Sequence, residues 1–338
     1  MTPSTAPGDP VSGPPGVFDA GALLEAARGG DRRALARLLS AAERGGPDGR
    51  AVAALAYRHP TEADTVGITG APGAGKSTLT DRLITAARAG GVSQLAVLAV
   101  DPTSPFTGGA ILGDRVRMQG HDLDAGVFIR SMASRGHLGG LALAVPEAIR
   151  LFAAAGMPLV LVETVGVGQV EVDVASATDT TVVVVNPRWG DAIQANKAGL
   201  LETADIFVVN KADMPGAAQS RRDLEQMLDL STPGQWRPPV VETVSTTGEG
   251  VEALWAEIGR HRAFLADAGL LDQCRRERLR REFRLVLRSR LEREIDRLGS
   301  QARFAELDDD VVEHRVDPYQ AAEALVTQVA PVAGDRAP

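Results

Sequence analysis

The sequence predicts an α/β fold in which helices flank a mostly parallel central sheet. Several apolar runs are continuous, as in strands that a parallel sheet buries on both faces, and the clearest lie at 94–100, 158–162 and 180–185. A glycine-rich stretch at 70–77 stands between a short apolar run and an amphipathic helix start, the order expected of a nucleotide-binding domain. Apolar residues at helical spacing predict further helices at both ends of the chain.

Composition and charge narrow the range of partners. The chain has 338 residues, a net charge of -8 and a pI near 5.3, so no basic field attracts nucleic acid or an anionic membrane, and we expect neither partner. One cysteine, Cys274, excludes an internal disulfide and a multi-cysteine metal site. No stretch holds enough consecutive apolar residues to cross a bilayer, so we expect a cytoplasmic protein.

The stretch 70–77 reads Gly-Ala-Pro-Gly-Ala-Gly-Lys-Ser and predicts a phosphate-binding loop (P-loop). Backbone N–H groups of such a loop point at phosphate oxygens, and bulky side chains would block that approach. We expect Lys76 to reach the outer phosphates and the Ser77 hydroxyl to bind Mg²⁺. A plain glycine-rich turn is the alternative. The expected nucleotide contacts are Gly70, Pro72, Gly73, Ala74, Gly75, Lys76, Ser77 and Thr78.

Two acids are candidate metal or water ligands. Asp101 directly follows the apolar run 94–100, and α/β sheets bind ligands at the carboxyl ends of their strands. A helix or turn cap is the alternative for this residue. Asp114 lies in the segment 102–115, whose hydroxyls and glycines are typical of a switch that Mg²⁺ and a triphosphate order. Spacing alone is equally compatible with a solvated loop acid at 114.

An acid-x-x-Gly element, Glu163-Thr164-Val165-Gly166, follows the run 158–162. In GTPases the acid of this element holds Mg²⁺ through water, and the glycine N–H senses the γ-phosphate. Val167 stands where Ras-like GTPases carry the glutamine that orients the attacking water. The sequence therefore predicts slow unassisted hydrolysis.

Base selectivity is predicted by the run Asn210-Lys211-Ala212-Asp213, which follows a strand at 205–209. Asp213 can accept hydrogen bonds from N1–H and the exocyclic amine of guanine, while Asn210 contacts the other edge of the base and Lys211 covers the ring. Adenine offers no such pair of donors. A last segment can supply a backbone N–H to the guanine oxygen, and its residues are Ser245, Thr246 and Thr247. Because these motifs each follow a strand in the expected order, we expect GTP, GDP and Mg²⁺ as ligands.

Five blocks together resemble the MeaB/ArgK group of P-loop GTPases: GAPGAGKS at 70–77, VDPTSPFTGGAILGDRVRM at 100–118, IRSMASRGHLGG at 129–140, VETVGVGQVEVDVA at 162–175 and NKAD at 210–213. Members of this group assist adenosylcobalamin-dependent acyl-CoA mutases, chiefly methylmalonyl-CoA mutase. The resemblance implies a GTPase chaperone that gates cofactor loading and release and protects the mutase. It also implies a homodimer built through C-terminal helices.

In this family the element after the fourth strand is a further switch that meets the mutase, and the matching stretch here is 186–199. Asp191, Gln194 and Lys197 are spaced by threes, which on a helix places them on one face. Arg188-Trp189 stands where the family usually has small residues, and is either an interface hot spot or a helix-end packing pair. Our hypothesis is that Lys197 helps supply the missing transition-state charge when the mutase docks.

These observations divide the chain into four expected regions: a disordered tail at 1–16, an N-terminal helical segment at 17–60, a P-loop GTPase domain at 61–262 and a C-terminal helical dimerisation extension at 263–338. Asp31 is expected to cap the second N-terminal helix. One apolar stripe runs along the extension and comprises Leu279, Phe283, Val286, Leu287, Leu291, Ile295 and Leu298.

Two other functions deserve comparison. One is a kinase that phosphorylates a transport-binding protein, a role attached to relatives of this family, although guanine selectivity and the lack of an evident protein-substrate site weigh against it. The other is a nickel-inserting maturation GTPase. Such a protein needs soft or imidazole ligands near the nucleotide, and one cysteine with five scattered histidines offers few.

Overall fold

A seven-stranded parallel sheet forms the centre of the protein. The computed structural model describes residues 18–59, 62–102, 119–121, 123–134, 140–164, 174, 176–187, 203–230, 234–299 and 302–329. The strands are β1 Asp64–Gly70, β2 Leu95–Pro102, β3 Val127–Ser134, β4 Leu159–Thr164, β5 Thr180–Val185, β6 Ile206–Asn210 and β7 Val240–Thr243. Their order is β3-β2-β4-β1-β5-β6-β7, and every pair of neighbours is parallel. All carboxyl ends therefore meet at one edge, and the predicted fold class is confirmed.

Helices cover both faces of this sheet and continue beyond it. They are α1 Ala20–Arg28, α2 Arg32–Arg44, α3 Gly46–Arg58, α4 Lys76–Ala89, α5 Gly140–Ala154, α6 Ala217–Leu230, α7 Val251–Asp267, α8 Leu270–Gly299, α9 Ala302–Val312 and α10 Pro318–Val329. None of the helices in the described ranges is both long enough and apolar enough to span a membrane.

The N-terminal helices pack on one face of the sheet together with α5. The predicted cap of α2 is present, because Asp31 Oδ1 accepts hydrogen bonds from the backbone N–H groups of Arg33 at 2.8 Å and Ala34 at 3.1 Å. Leu38 of α2 and Phe152 of α5 are fully buried in one cluster with the side chains of β2 and β4 that face them. These helices therefore complete the core on this side.

The opposite face is covered by α4 and α7. Leu79 and Leu83 of α4 and Leu254 of α7 share a buried cluster with Ile68 of β1 and Val182 of β5. Because β1 lies in the middle of the sheet and α4 follows it directly, the loop between them is held on both sides by buried structure. This loop is the stretch 70–77 of the sequence.

Strand β3 lies in a stretch for which the sequence pattern predicted no strand. Residues 127–134 instead pair with β2 in register from Leu95↔Val127 to Pro102↔Ser134. The polar Arg130 is compatible with a strand here because its guanidinium leaves the sheet and donates to Glu43 Oε2 of α2 at 2.9 Å. Helix α5 begins at Gly140, after this strand.

Candidate functional site

The P-loop leaves β1 in a conformation that requires glycine at two of its positions. Gly70 has φ +134°, and a Cβ there would lie 2.0 Å from the carbonyl oxygen of Val184 in β5. Gly75 has φ +95°, and a Cβ there would lie 2.3 Å from Asn210 Nδ2. An L side chain rarely adopts such φ values, and both positions also lack the space for one. The close approach of this loop to its neighbours therefore explains why these two positions are glycines.

Lys76 and Ser77 begin helix α4 and are both buried. Lys76 Nζ donates to the carbonyl oxygens of Gly70 at 2.6 Å and Ala71 at 3.0 Å, which holds the ammonium group against the loop. The helix N-terminus adds a partial positive charge at the same place. A phosphate bound by the loop would thus meet the helix terminus and a lysine together.

Ser77 and Glu163 meet at the carboxyl edge of the sheet. The Ser77 hydroxyl donates to Glu163 Oε1 at 2.5 Å, and Glu163, at the end of β4, is 1% exposed. A hydroxyl and a carboxylate are hard oxygen donors of the kind Mg²⁺ prefers, and Mg²⁺ usually takes its other ligands from water and phosphate. Within the described ranges no group of three or more His, Cys, Asp and Glu side chains could hold a metal alone. The donor set therefore fits a Mg²⁺ ion that is bound jointly by protein and nucleotide.

The pairing of β2 with β4 places the backbone of Asp101 at the same edge of the sheet as Ser77 and Glu163. In the register of β2 and β4, Ala99 is the partner of Glu163, so Asp101 follows two residues further toward the carboxyl edge. Only its backbone is described. The position at the end of β2 is the one that the sequence predicted.

Asn210 connects the P-loop to the loop that follows β7. Its Nδ2 donates to Ala74 O at 2.8 Å, while its Oδ1 accepts from Ser245 Oγ at 2.7 Å and Ser245 N at 3.2 Å. The side chain is 1% exposed. The expected contact of Asn210 with the base stays a prediction, and the structure adds a bracing role that the sequence did not reveal.

Lys211 continues this connection. It has φ +58°, which is uncommon for a residue other than glycine, and its Nζ donates to Gly73 O at 2.9 Å. The stem of Lys211 therefore spans from the end of β6 to the P-loop. Asp213 is exposed two residues later, where its carboxylate is accessible to a ligand.

The loop after β7 carries Ser245, Thr246 and Thr247. The N–H groups of Thr247 and Gly248 both donate to Val244 O, at 3.1 Å and 2.8 Å, and form a tight turn. Ser245 is buried, whereas Thr246 and Thr247 are exposed. The three predicted base-contacting residues thus lie beside Asn210 and across from the P-loop.

Comparison with known proteins identifies the family. A family model described as the methylmalonyl-CoA mutase-associated GTPase MeaB matches residues 35–298. The chain belongs to the MeaB family. A protein of Pyrococcus abyssi that is named as a GTPase is 47% identical over 311 residues, which cover 91% of this chain and 96% of that protein.

Two further matches of this MeaB-family chain bear on function. The fused isobutyryl-CoA mutase of Cupriavidus metallidurans is 38% identical over 216 residues, covering 63% of this chain and 20% of that protein. A solved structure described as a LAO/AO transport system kinase has a TM-score of 0.67 at 26% identity and covers 92% of this chain and 97% of its own. The resemblance to the MeaB/ArgK group that the sequence motifs predicted is therefore confirmed.

Several predicted site residues of this MeaB-family protein lie outside the described residues. They are Asp114, Gly166, Lys197, Val167 and the pair Arg188-Trp189. The predicted tail at 1–16 also lies outside them. Their expected roles stay predictions.

Sequence reasoning missed one contact at this site, which is made by Arg82. This residue of α4 donates from Nε to Ser245 O at 3.0 Å and from Nη2 to Thr246 O at 2.7 Å. No motif spacing identifies it, because the contact joins a helix to a loop 163 residues further along the chain.

Proposed function

We propose that this protein binds GTP with Mg²⁺ and hydrolyses it to GDP and phosphate. The observation that carries the proposal is the bridge made by Asn210, which joins the P-loop at Ala74 to the loop after β7 at Ser245. Because one buried side chain fixes both loops, a phosphate cradle and a base-binding edge are held in a constant relation. Such fixed positioning is the main requirement for phosphoryl transfer.

Each residue has a distinct task in this proposal. Backbone N–H groups of residues 70–77 and the ammonium of Lys76 bind the phosphates and stabilise the charge that develops during transfer. Bound Mg²⁺, held by Ser77 and Glu163 together with Asp101 and Asp114, would supply further positive charge at the β- and γ-phosphates. The oxygen of water attacks the γ-phosphorus, the bond to the bridging oxygen breaks so that GDP leaves with the electron pair, and one proton of the water is released to solvent.

Base selectivity is tested by replacing Asp213 with asparagine. An amide presents one donor and one acceptor instead of two acceptors, so Asp213→Asn is expected to bind xanthosine diphosphate at least tenfold tighter than GDP. Binding of both nucleotides would be measured by calorimetry. Asp223→Asn, which alters a carboxylate on α6, is the matched control and should keep the wild-type preference. Unchanged selectivity in Asp213→Asn would contradict the assignment of guanine.

We further propose that the protein serves an adenosylcobalamin-dependent acyl-CoA mutase, most directly methylmalonyl-CoA mutase, as a GTP-driven chaperone that gates cofactor loading and release. Support comes from the description of the family model and from the relative that is a fused isobutyryl-CoA mutase. Co-purification with candidate mutases and GTPase assays with each would test the partner. We expect slow turnover alone and faster turnover with the correct mutase. Cell fractionation would test the expected cytoplasmic location.

The composition supports a role for Lys197. Only three of the 36 lysine and arginine residues are lysines, and they are Lys76, Lys197 and Lys211. Two of the three belong to the nucleotide motifs, so this chain uses lysine where a compact ammonium is needed and arginine elsewhere. We propose that Lys197 supplies charge to the transition state when the mutase docks. Mutase-stimulated turnover that survives in both Lys197→Ala and Lys197→Arg would contradict this role.

The long helix α8 supports a homodimer. The part of its apolar stripe whose side chains the structure describes, from Leu279 to Ile295, is exposed to solvent, and Phe283 is 68% and Leu291 52% exposed. An exposed apolar stripe of this kind is typical of a protein interface. We expect the double variant Leu287→Glu/Leu291→Glu to halve the mass measured by light scattering while GDP binding is retained. An unchanged mass would contradict dimerisation through α8.

A second candidate function follows from the solved neighbour described as a LAO/AO transport system kinase. In that case the γ-phosphate would pass to a protein hydroxyl instead of to water. Incubation with γ-labelled GTP and candidate binding proteins separates the two, because the hydrolase releases free phosphate. A measurement of bound metal would test nickel insertion, for which the described residues offer no cluster of ligands.

A further inference from the structure

Arg82 holds the loop after β7 by its backbone carbonyl groups. One guanidinium on α4 donates to two successive carbonyl oxygens, Ser245 O at 3.0 Å and Thr246 O at 2.7 Å. Within the described ranges Arg82 forms no ion pair, so both of these bonds go to the loop. The side chain therefore holds the loop by its backbone.

Because the peptide bond is planar, fixing the carbonyl oxygen of Ser245 also fixes the direction of the N–H of Thr246. In a trans peptide the carbonyl oxygen of one residue and the N–H of the next point in opposite directions, and the described part of the chain contains no cis peptide. Because Arg82 fixes Ser245 O toward α4, the N–H of Thr246 points away from α4. Rotation of this peptide would break a charge-assisted hydrogen bond.

Among the backbone N–H groups at 245–248, that of Thr246 is available to a ligand. Ser245 N donates to Asn210 Oδ1 at 3.2 Å, while Thr247 N and Gly248 N donate to Val244 O at 3.1 Å and 2.8 Å. Thr246 N has no acceptor among the described residues, and Thr246 itself is exposed. A backbone donor that secondary structure does not use can be satisfied by a ligand.

We propose that Arg82 is a positioning residue for guanine selectivity, because it orients the N–H of Thr246 toward the oxygen at position 6 of the base. This inference rests on the proposed GTP binding and deepens it. Guanine presents an acceptor at position 6, whereas adenine presents an amino group whose hydrogens would oppose the N–H. Asp213 reads positions 1 and 2, so Arg82 and Thr246 act on a different part of the ring.

The experiment compares GDP with 6-thio-GDP, which differs only by sulfur at position 6 and keeps the groups that Asp213 recognises. Sulfur is the weaker acceptor, so the wild-type protein is expected to prefer GDP about tenfold, the value of one hydrogen bond of about 1.4 kcal/mol. In Arg82→Met the preference should fall to about threefold or less, because the N–H is no longer fixed. Arg82→Lys keeps one donor and should give an intermediate preference.

A matched control exists on the same helix. Arg88 of α4 also donates to two successive carbonyl oxygens, Val92 O at 2.8 Å and Ser93 O at 2.6 Å, but these belong to the turn before β2. Arg88→Met should keep the wild-type preference for GDP over 6-thio-GDP even where it lowers the melting temperature.

The outcomes separate this inference from the proposed function. A wild-type preference retained in Arg82→Met and Arg82→Lys would overturn the positioning role, even if both nucleotides bound more weakly. Should Arg82→Met fail to fold, the ratio measured for Arg82→Lys decides the question. Failure of the wild-type protein to bind GDP at all would instead overturn the proposed function, and the positioning role with it.

Discussion

The carboxyl edge of the central sheet, where the parallel strands end, and the amino edge, where they begin, place their polar groups differently. At the carboxyl edge, hydrogen bonds join loops to one another, as where Asn210 bridges Ala74 and Ser245. At the amino edge, acidic residues that precede one strand bind the backbone of its neighbour. Asp179, before β5, accepts from Thr65 N of β1 at 3.1 Å, and Asp205, before β6, accepts from Thr181 N of β5 at 2.7 Å.

Two arginines of helix α8 neutralise the charge of Asp179 at the amino edge. Asp179 is bound by Arg275 Nη2 at 3.0 Å and also by Arg278, both from α8. Burial alone would raise the pKa of Asp179, but the hydrogen bonds and charges of the two arginines outweigh it and lower the pKa. The carboxylate is therefore ionised and fully compensated by protein groups.

This contrast separates groups that hold the fold from groups that can act on a ligand. A carboxylate held by two arginines has its charge compensated within the chain, so it has little to offer a cation. Glu163 instead accepts from the hydroxyl of Ser77 in the first turn of α4, directly after the P-loop. We therefore expect variants of the carboxyl edge to lose activity and variants of the amino edge to lose stability.

The largest expected effect is the loss of activity in Lys76→Met. Removal of the ammonium takes away one of the groups aimed at the charge that develops on the phosphates, and should lower the rate of GTP hydrolysis about 10²- to 10³-fold. Single-turnover assays measure this rate. Circular dichroism should show the same helical content as the wild type, because α4 stays anchored by its apolar face.

Lys76→Arg is the informative companion of this variant. The position is 6% exposed, and Nζ already lies between two carbonyl oxygens, so a planar guanidinium does not fit the same place. We expect Lys76→Arg to be nearly as inactive as Lys76→Met. Full activity in Lys76→Arg would mean that charge alone matters at this position.

The second expected effect is a loss of stability in Asp179→Asn. The amide can still accept from Thr65 N, but Arg278 loses its ion pair with Asp179, and Arg275 loses the most buried of its acidic partners. Breaking a buried ion pair in this way costs about 3 kcal/mol of unfolding free energy. Urea denaturation measures this loss, and the Kd for GDP should change less than about twofold.

Glu62→Gln is the matched control for this prediction. Glu62 pairs with the same Arg275, but its side chain is 57% exposed, and solvent-exposed ion pairs contribute about 0–1 kcal/mol. Equal losses in Asp179→Asn and Glu62→Gln would mean that burial does not set the strength of these pairs. A tenfold change in GDP binding would mean that the two edges are coupled.

The carboxyl edge could be read from the sequence because its chemistry is local. A glycine loop between a strand and a helix, or an Asn-Lys-x-Asp run after a strand, carries its geometry within a few residues. Asp101 and Glu163 accordingly lie one residue before the ends of β2 and β4, and Asn210 is the last residue of β6. The parallel order of the strands then brings these residues to one edge.

The amino edge and the braces of the site depend on packing that no local pattern encodes. Asp179 and Arg275 lie 96 residues apart, and their pairing depends on where α8 crosses the sheet. Arg82 was missed for the same reason. Strand β3 was missed because Arg130 and Ser131 interrupt its apolar pattern, and only the pairing with Glu43 of α2 compensates the charge.

The third expected effect concerns the pH dependence of stability at the amino edge. His261 of α7 is buried with its Nε2 3.3 Å from Asp205 Oδ1. Burial raises the pKa of Asp205 to about 7 and lowers the pKa of His261 to about 4. The hydrogen bond from Thr181 N and the charge of Arg278 oppose the rise in the pKa of Asp205, and the charge of Asp179 opposes the fall in the pKa of His261, but burial outweighs them. Between these values the pair carries one proton, on Asp205.

The two shifts have opposite effects on stability. The raised pKa of Asp205 makes the unfolding free energy fall as pH rises from about 4 to about 7, and the lowered pKa of His261 makes it rise over about 4 to 6.5. In the wild type these two contributions oppose each other. Relative to the wild type, Asp205→Asn should make the slope more positive and His261→Gln should make it more negative, each by at most about 1.4 kcal/mol per pH unit. Unfolding free energies from urea denaturation at about pH 4.5, about 5.5 and about 6.5 measure these slopes. Changes of slope in the same direction in both variants would contradict the placement of the proton on Asp205.

The smallest expected effect concerns the hydrogen bond between this histidine and Thr180. With the proton on Asp205, Nε2 of His261 accepts, and the Nδ1–H donates to Thr180 Oγ1, which lies 2.9 Å away. Thr180→Val keeps the shape of the side chain but removes the acceptor, and a buried donor left unsatisfied costs about 1 kcal/mol or slightly more. Thr180→Ser keeps the hydroxyl and should cost less. Equal unfolding free energies for Thr180→Val and the wild type would contradict a stabilising hydrogen bond between His261 and Thr180.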